Sequence, residues 1–112
     1  MNPPIDAKRK SSMRFETLNL FWARGTTEGN LGLVEIVVWL CMWTHADPHG
    51  LVIISYGKVA GECNMSRRSA ANAVNSLQAK RMIKIKVRGT VDGKPSTYVL
   101  NPYPKERKGA PL

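Results

Sequence analysis

The sequence has 112 residues, the usual size of one domain, and 43% of them are hydrophobic, which excludes global disorder. Its formal net charge of +9 favours a polyanionic partner, with nucleic acid ahead of a membrane surface. The charge is uneven, because residues 15–63 hold two basic and five acidic side chains whereas residues 64–101 hold eight basic and one acidic. The second half of the chain is therefore expected to contact the anion.

The two ends of the chain differ in composition from its centre. Residues 1–12 contain two prolines and a Lys-Arg-Lys run, and residues 102–112 are rich in proline, glycine and charge. We predict a flexible basic arm at 1–12, one domain at 13–101 and a flexible tail at 102–112. No secretory signal is visible, and the apolar run at 31–43 is shorter than the ~20 residues that cross a bilayer. We therefore expect a soluble, cytoplasmic protein without a membrane partner.

Candidate catalytic and metal-binding residues are few. His45 and His49 flank Asp47, but no cysteine or third ligand follows at a metal-binding spacing. Cys41 and Cys63 lie in apolar patterns, which favours buried free thiols over a disulfide. The sequence shows neither a phosphate-binding glycine loop nor a nucleophile beside a base. It therefore predicts no enzyme activity, no metal and no cofactor.

The first part of the domain contains one clear helix. The segment MRFETLNLFW fits a short strand or an irregular segment, and GTTEGN is predicted as a loop. The apolar run from Leu33 to Thr44 exceeds normal strand length and is predicted as a helix. Because its apolar side chains fall on every side, this helix needs cover on more than one face. The second cover comes either from another subunit, in a homodimer, or from the apolar residues Phe15, Leu18, Leu20, Phe21 and Trp22.

A brief strand and a short helix follow. LVIIS is predicted as the strand, and YGKVAGEC as a helix with Ser55 as its N-cap. The side chains of Val59, Ala60 and Cys63 are expected on the inner face of this helix. Asn64 tolerates a positive φ, so we predict that it ends the helix in a tight turn.

The next helix carries the residues that we expect to contact the anion. It is predicted from Arg67 to about Arg81, with Ser66 as its cap. Its inner stripe consists mostly of small residues: Ala70, Ala73, Val74 and Leu77. Its outer side is polar: Arg68, Ser69, Asn72 and Asn75. Arginines in a first turn oppose the helix dipole at a cost of roughly a few tenths of a kcal/mol, so an external anion is expected to hold them.

A β-hairpin is predicted after this helix. In MIKIKVRG the apolar residues Met82, Ile83, Ile85 and Val87 alternate with the basic residues Lys84, Lys86 and Arg88, which predicts a half-buried strand with a cationic face. GTVDGKPS is the hairpin loop, with Asp92 and Gly93 in its middle. TYVLN is the returning strand, with Tyr98 and Leu100 on one face and Val99 on the other.

The stretch YGKVAGECNMSRRSAANAVNSLQAKRMIKI resembles the winged helix-turn-helix family of DNA-binding domains, and the resemblance extends over residues 33–101. Ala60 matches the small residue where the two helices of this family cross. Asn64 stands where the family often has Gly, since Asn reaches the same left-handed backbone. Arg81 and Met82 depart from the Gly-Leu pair of many members. The chain is most similar to such domains in phage and plasmid replication proteins and in small bacterial regulators.

This resemblance implies an α+β, mainly helical fold, with a three-helix core and a C-terminal β-hairpin wing. It also implies binding to double-stranded DNA with sequence preference, as a transcriptional regulator or a plasmid or phage replication or maintenance factor in the bacterial cytoplasm or nucleoid. Partners in the replication or transcription machinery follow from these roles. The residues expected to contact DNA are Ser66, Arg67, Arg68, Ser69, Asn72, Asn75, Lys84, Lys86, Arg88 and Lys94. The arginines and Asn72 of the helix are expected to read bases, and Ser69 and Asn75 to contact phosphates or bases. The hairpin residues are expected to contact the DNA backbone or the minor groove.

Other interpretations of these residues stay open. The helix start and its asparagines also fit a solvated surface, and the hairpin lysines also fit a soluble edge strand. The alternative function is an interaction module that docks on an acidic protein or on single-stranded nucleic acid. Trp39 and Trp43 are predicted in the core and form no stacking platform for bases.

Overall fold

The computed structural model describes residues 14–90 and 94–104. This part of the chain has an α+β, mainly helical fold with four helices and one three-stranded antiparallel sheet, so the α+β, mainly helical class is confirmed. The elements are α1 (residues 14–28), α2 (Leu33–Thr44), β1 (Leu51–Ile54), α3 (Tyr56–Cys63), α4 (Arg67–Ala79), β2 (Ile83–Val87) and β3 (Ser96–Leu100). The predicted arm, the Asp92-Gly93 turn and tail residues 105–112 lie outside the described residues.

The N-terminal segment is helical over residues 14–28, so the strand or irregular segment predicted up to residue 22 was wrong. The loop predicted at 25–30 was wrong for residues 25–28, and Gly29 and Asn30 form a turn. Inside α1, the segment Phe21–Gly25 is a π-helical turn that is closed by a hydrogen bond from the Thr26 N–H to the Phe21 carbonyl. The extra residue of such a turn rotates the helix by about 100°, which breaks the 3.6-residue repeat. This rotation explains why no helical pattern is visible in the sequence.

Helix α1 covers one side of α2. The ring of Phe21 stacks on that of Trp39, with centroids 3.7 Å apart and planes 5° apart, and both side chains are fully buried. The N-terminal segment of the same chain therefore covers this side of α2. Leu33, Val34 and Val37 on the other side of α2 remain exposed, and the homodimer stays a prediction. Among the described residues, no helix has the length and apolar character needed to cross a membrane.

The three strands lie in the order β1-β3-β2, and the buried face of the sheet packs on the helices. Tyr98 and Leu100 are buried on this face, as predicted. Val87 was expected beside them but is 58% exposed. Ile85 pairs with Tyr98 while Val87 pairs with Thr97, so a β-bulge at residue 86 adds one residue to β2. Because side chains alternate between faces, this insertion turns Val87 to the outer face.

The predicted helix pair and the turn between its helices are confirmed. The Ser55 hydroxyl accepts a hydrogen bond from the Lys58 N–H at 3.1 Å, and the Ser66 hydroxyl accepts one from the Ser69 N–H at 3.0 Å. Asn64 ends α3 in the left-handed conformation, with φ 54° and ψ 49°. Local capping and one residue that tolerates positive φ therefore set the angle between α3 and α4.

Helix α4 ends at Ala79, two residues before the predicted end. Arg81 adopts a φ of 61°, so it occupies the left-handed position that follows the helix. The Met82 N–H donates to the Leu77 carbonyl and the Arg81 N–H donates to the Gln78 carbonyl, which completes a Schellman motif. A residue with a side chain adopts this left-handed conformation at a cost of about 1–2 kcal/mol.

A carboxylate links the start of α2 to the end of α4. The side chain of Glu35 accepts hydrogen bonds from the Gly32 N–H at 3.0 Å, the Ser76 hydroxyl at 2.7 Å and the Lys80 ammonium at 2.8 Å. Burial alone raises the pKa of Glu35, but these three donors outweigh it and hold the pKa below its ordinary value. Ionised Glu35 therefore stabilises the fold at neutral pH and loses this contribution as the pH falls.

Glu35→Gln is expected to lower the free energy of unfolding by about 1–2 kcal/mol at pH 7, because Lys80 loses its ionic partner. The difference from the unchanged protein should shrink as the pH falls through and below the ordinary glutamate pKa of about 4.3, where Glu35 itself becomes protonated. Urea unfolding at pH 7 and at pH 3 measures both values. Glu16→Gln, at an exposed position of α1, is the matched control. An equal loss at both pH values would contradict the role of the charge.

Candidate nucleic-acid interface

Helix α4 has one buried side and one exposed side, as predicted. Its buried residues are Ala70, Ala73, Val74 and Leu77, which pack against α2 and α3. The exposed residues include every helix and cap position expected to contact DNA: Ser66, Arg67, Arg68, Ser69, Asn72 and Asn75. Small side chains on the buried side let the helix backbones approach closely, while the polar side stays open to solvent.

The exposed polar side chains of α4 differ in whether they already have a partner. The hydroxyl of Ser66 donates to that of Ser69 at 2.9 Å, and the Gln78 amide donates to the Asn75 carbonyl oxygen at 3.4 Å. Within residues 14–90 and 94–104, the side chains of Arg67, Arg68 and Asn72 have no hydrogen-bond or ionic partner. These three are therefore free to bind an external group.

A cleft of about 610 Å³ lies between α3, the start of α4 and the β2–β3 hairpin. Four basic side chains line it: Lys58, Arg67, Arg88 and Lys94. Among residues 14–90 and 94–104, no carboxylate lines it. Lys58 forms an ion pair with Glu62 at 3.4 Å, whereas the other three cations have no acidic partner in the described part of the chain. The cleft therefore carries a surplus of positive charge.

The base of the hairpin is rigidly built at this cleft. The Gly89 N–H donates to the Ser96 hydroxyl at 2.8 Å, and the Thr90 N–H donates to the Lys94 carbonyl at 3.1 Å. A side chain at Gly89 would collide with the Lys94 carbonyl oxygen, so only glycine allows the two arms to come this close. These contacts hold together the two arms of the hairpin that carry Arg88 and Lys94.

The wall of the cleft includes a tyrosine that stays neutral. The side chain of Tyr98 is 2% exposed. Burial, partly offset by a hydrogen bond with Ser96, raises the pKa of Tyr98 to about 12. A phenol with this pKa carries no charge at physiological pH, so it does not reduce the positive charge of the neighbouring side chains.

The structure separates the basic residues of the hairpin. Arg88 and Lys94 meet Arg67 in the cleft. Lys84 pairs with Val99 on the outer face of the sheet, and Lys86 is the extra residue of the bulge. Both are exposed and have no side-chain partner among the described residues. The DNA contacts expected of Lys84 and Lys86 stay predictions.

Sequence reasoning missed Lys58 as a member of this basic group. Lys58 lies in the acidic half of the chain, so the distribution of charge along the sequence did not indicate that it belongs to a basic group. The signal that could have found it is the Ser55 cap, which places Lys58 in the first turn of α3.

The histidines and cysteines form contacts of other kinds. His45 Nε2 lies 2.8 Å from Glu62, and this hydrogen bond lowers the pKa of the Glu62 carboxyl. The Asp47 carboxylate accepts from the backbone N–H groups of His49 and Leu51, which closes the turn before β1. Among the described residues, no three histidine, cysteine, aspartate or glutamate side chains form a group that could hold a metal ion.

Cys41 and Cys63 are free thiols, as predicted, although both are half-buried rather than buried. Burial, followed by interaction with Cys63, raises the pKa of the Cys41 thiol to about 12. A thiol with so high a pKa is protonated at neutral pH and is a poor nucleophile.

The open face of α4 and the cationic cleft beside it both bear unpaired positive charge among the described residues. Both surfaces fit an anionic partner better than a neutral one. No family model matches this chain, and no curated protein matches it significantly.

Proposed function

We propose that the protein is a winged helix-turn-helix domain that binds double-stranded DNA with sequence preference. In this proposal α3 and α4 are the helix-turn-helix, α4 enters the major groove, and the β2–β3 hairpin is the wing. The observation that carries the proposal is the open face of α4, where Arg68 and Asn72 are exposed and unpaired. The protein acts as a transcriptional regulator or as a replication or maintenance factor of a plasmid or phage.

The dimensions and side chains of α4 fit this role. Its 13 residues give a length of about 20 Å. An α-helix with its side chains is about 10–12 Å wide, which fits the major groove of about 12 Å. Arginine pairs with guanine and asparagine with adenine through two hydrogen bonds, each pair giving about 1–3 kcal/mol of discrimination. This gain exceeds the roughly 0.3–1 kcal/mol that Arg67 and Arg68 lose to the helix dipole.

The remaining cations supply affinity rather than sequence choice. Lys86, Arg88 and Lys94 on the hairpin have no acidic partner in the described residues, so they are available to phosphates. Each phosphate that a lysine or arginine neutralises releases counterions, which gives a slope of about −0.9 in log K against log salt. These contacts fix the orientation of the domain on the duplex while α4 reads the bases.

Arg68→Ala is expected to blunt the sequence preference, whereas Lys86→Ala should weaken all duplexes alike and reduce the salt slope by about one. The two variants are matched, since each removes one exposed, unpaired cation from the described chain. The preferred site is first selected from a random duplex pool, and the affinities for that site and for scrambled duplexes are then compared. The expected loss for Arg68→Ala is about 1–3 kcal/mol on the selected site only. Equal weakening of all sequences by both variants would show that α4 is not the reader.

A second candidate function is a winged-helix interaction module. Phe15 and Trp22 on α1 are 66% and 67% exposed and lie seven residues apart, and exposed aromatic side chains are enriched at protein interfaces. An acidic protein or single-stranded nucleic acid would also match the basic half of the domain. Duplex affinity distinguishes the two functions, because an interaction module without duplex readout selects no sequence from the random pool.

A further inference from the structure

The cleft between α3 and the hairpin contains more positive charge than one phosphodiester of a DNA strand would neutralise. Arg67, Arg88 and Lys94 converge there without an acidic partner among the described residues, and Lys58 adds a fourth, partly neutralised cation. A phosphodiester carries one negative charge, so a single backbone phosphate of a duplex neutralises only one of these cations. The concentration of cations therefore indicates a ligand group with a higher charge density.

The shape of the cleft also fits a small ligand. Its volume of about 610 Å³ lies within the roughly 300–1,000 Å³ of small-molecule sites. At Gly57 a Cβ would meet only the Ser55 hydroxyl oxygen, 3.9 Å away, so the wall is open at this position. The hydrogen bonds at Gly89 and Thr90 fix the opposite wall, so the basic side chains project from a rigid frame. Concave sites with walls of low dielectric constant focus the field of such charges on the ligand.

We propose that this cleft binds a compact phosphate group that carries two or more negative charges, either a phosphomonoester or a pyrophosphate. Arginine binds such groups through two parallel hydrogen bonds, and lysine adds a point charge. The same chemistry has two sources, a free nucleotide and the phosphorylated end of a nucleic-acid strand. This binding goes beyond the reading of duplex sequence by α4, because it uses the cleft and not Arg68 or Asn72.

The test is calorimetric titration of the full chain with inorganic pyrophosphate at 0.15 M salt. We expect saturable binding of one pyrophosphate per chain. Arg88→Ala and Lys94→Ala should each weaken it by about tenfold to a hundredfold, the usual loss for a hydrogen bond to a charged group. Lys84→Ala is the matched control, since it removes the same charge from the outer face of the sheet and should leave the affinity unchanged. Circular dichroism checks that each variant is folded.

Two further titrations identify the source. A deoxynucleoside monophosphate that binds at least as tightly as pyrophosphate, on the same residues, identifies a nucleotide. A DNA hairpin with a 5′-phosphate that binds more tightly than the same hairpin with a 5′-hydroxyl identifies a strand end. The proposal is overturned if pyrophosphate does not saturate the protein, or if Lys84→Ala weakens binding as much as Arg88→Ala. Duplex binding by a protein that does not bind pyrophosphate would refute this proposal alone and leave the function of α4 standing.

Discussion

Replacing Lys86, Arg88 and Lys94 together by alanine is expected to lower the affinity for duplex DNA by roughly 500-fold at 0.1 M salt. All three belong to the hairpin and lack an acidic partner in the described residues, so removing them breaks no ion pair within this part of the chain. Each phosphate contact contributes about 0.9 to the slope of log K against log salt, so the slope should become shallower by about 2.7. Over the tenfold range from 1 M to 0.1 M salt, a slope change of about 2.7 lowers log K by about 2.7, which is the expected loss of roughly 500-fold in affinity.

Fluorescence anisotropy of a labelled duplex at four salt concentrations gives both the affinity and the slope. Arg24→Ala serves as the control, because the charge of this exposed arginine is already paired with Glu28 on α1, at 2.6 Å. Its slope should match that of the unchanged protein. A hairpin variant with an unchanged slope would contradict phosphate binding by the hairpin, whatever α4 does.

Replacing Trp39 by alanine is expected to have the largest effect on stability. The side chain is fully buried, it stacks on Phe21 and on Trp43, and its Nε1–H donates to the Asn101 carbonyl at 3.1 Å. Removal of a buried tryptophan costs about 3–5 kcal/mol, which is a large part of the 5–15 kcal/mol that stabilises a typical domain. The midpoint of thermal unfolding should therefore fall by roughly 15 °C or more.

Urea and thermal unfolding followed by circular dichroism measure this loss. Trp22→Ala is the matched control, because this tryptophan is 67% exposed and its removal should change the free energy of unfolding by less than about 0.5 kcal/mol. A similar loss in both variants, or a loss below about 1 kcal/mol for Trp39→Ala, would show that the stack of α1 on α2 does not stabilise the fold.

The exposed face of α4 could be predicted from the sequence because a single helix determines it. Once Ser66 caps the helix, a repeat of 3.6 residues places Ala70 and Val74 on one side and Arg68 and Asn72 on the other. The cleft could not be predicted in the same way. It joins Arg67 to Arg88 and Lys94, which lie far from Arg67 in the sequence, and only the packing of α4 against the hairpin brings them together.

The sequence by itself determined α2, α3, α4 and the turn at Asn64, because caps, apolar repeats and tolerance of positive φ act over a few neighbouring residues. The tertiary structure alone decided that α1 is helical, since its π turn breaks the repeat and its stability comes from the stack of Phe21 on Trp39. It also decided the face of Val87, since a bulge depends on pairing with a distant strand. Contacts between distant residues are settled only when the whole chain packs, and local signals do not encode them.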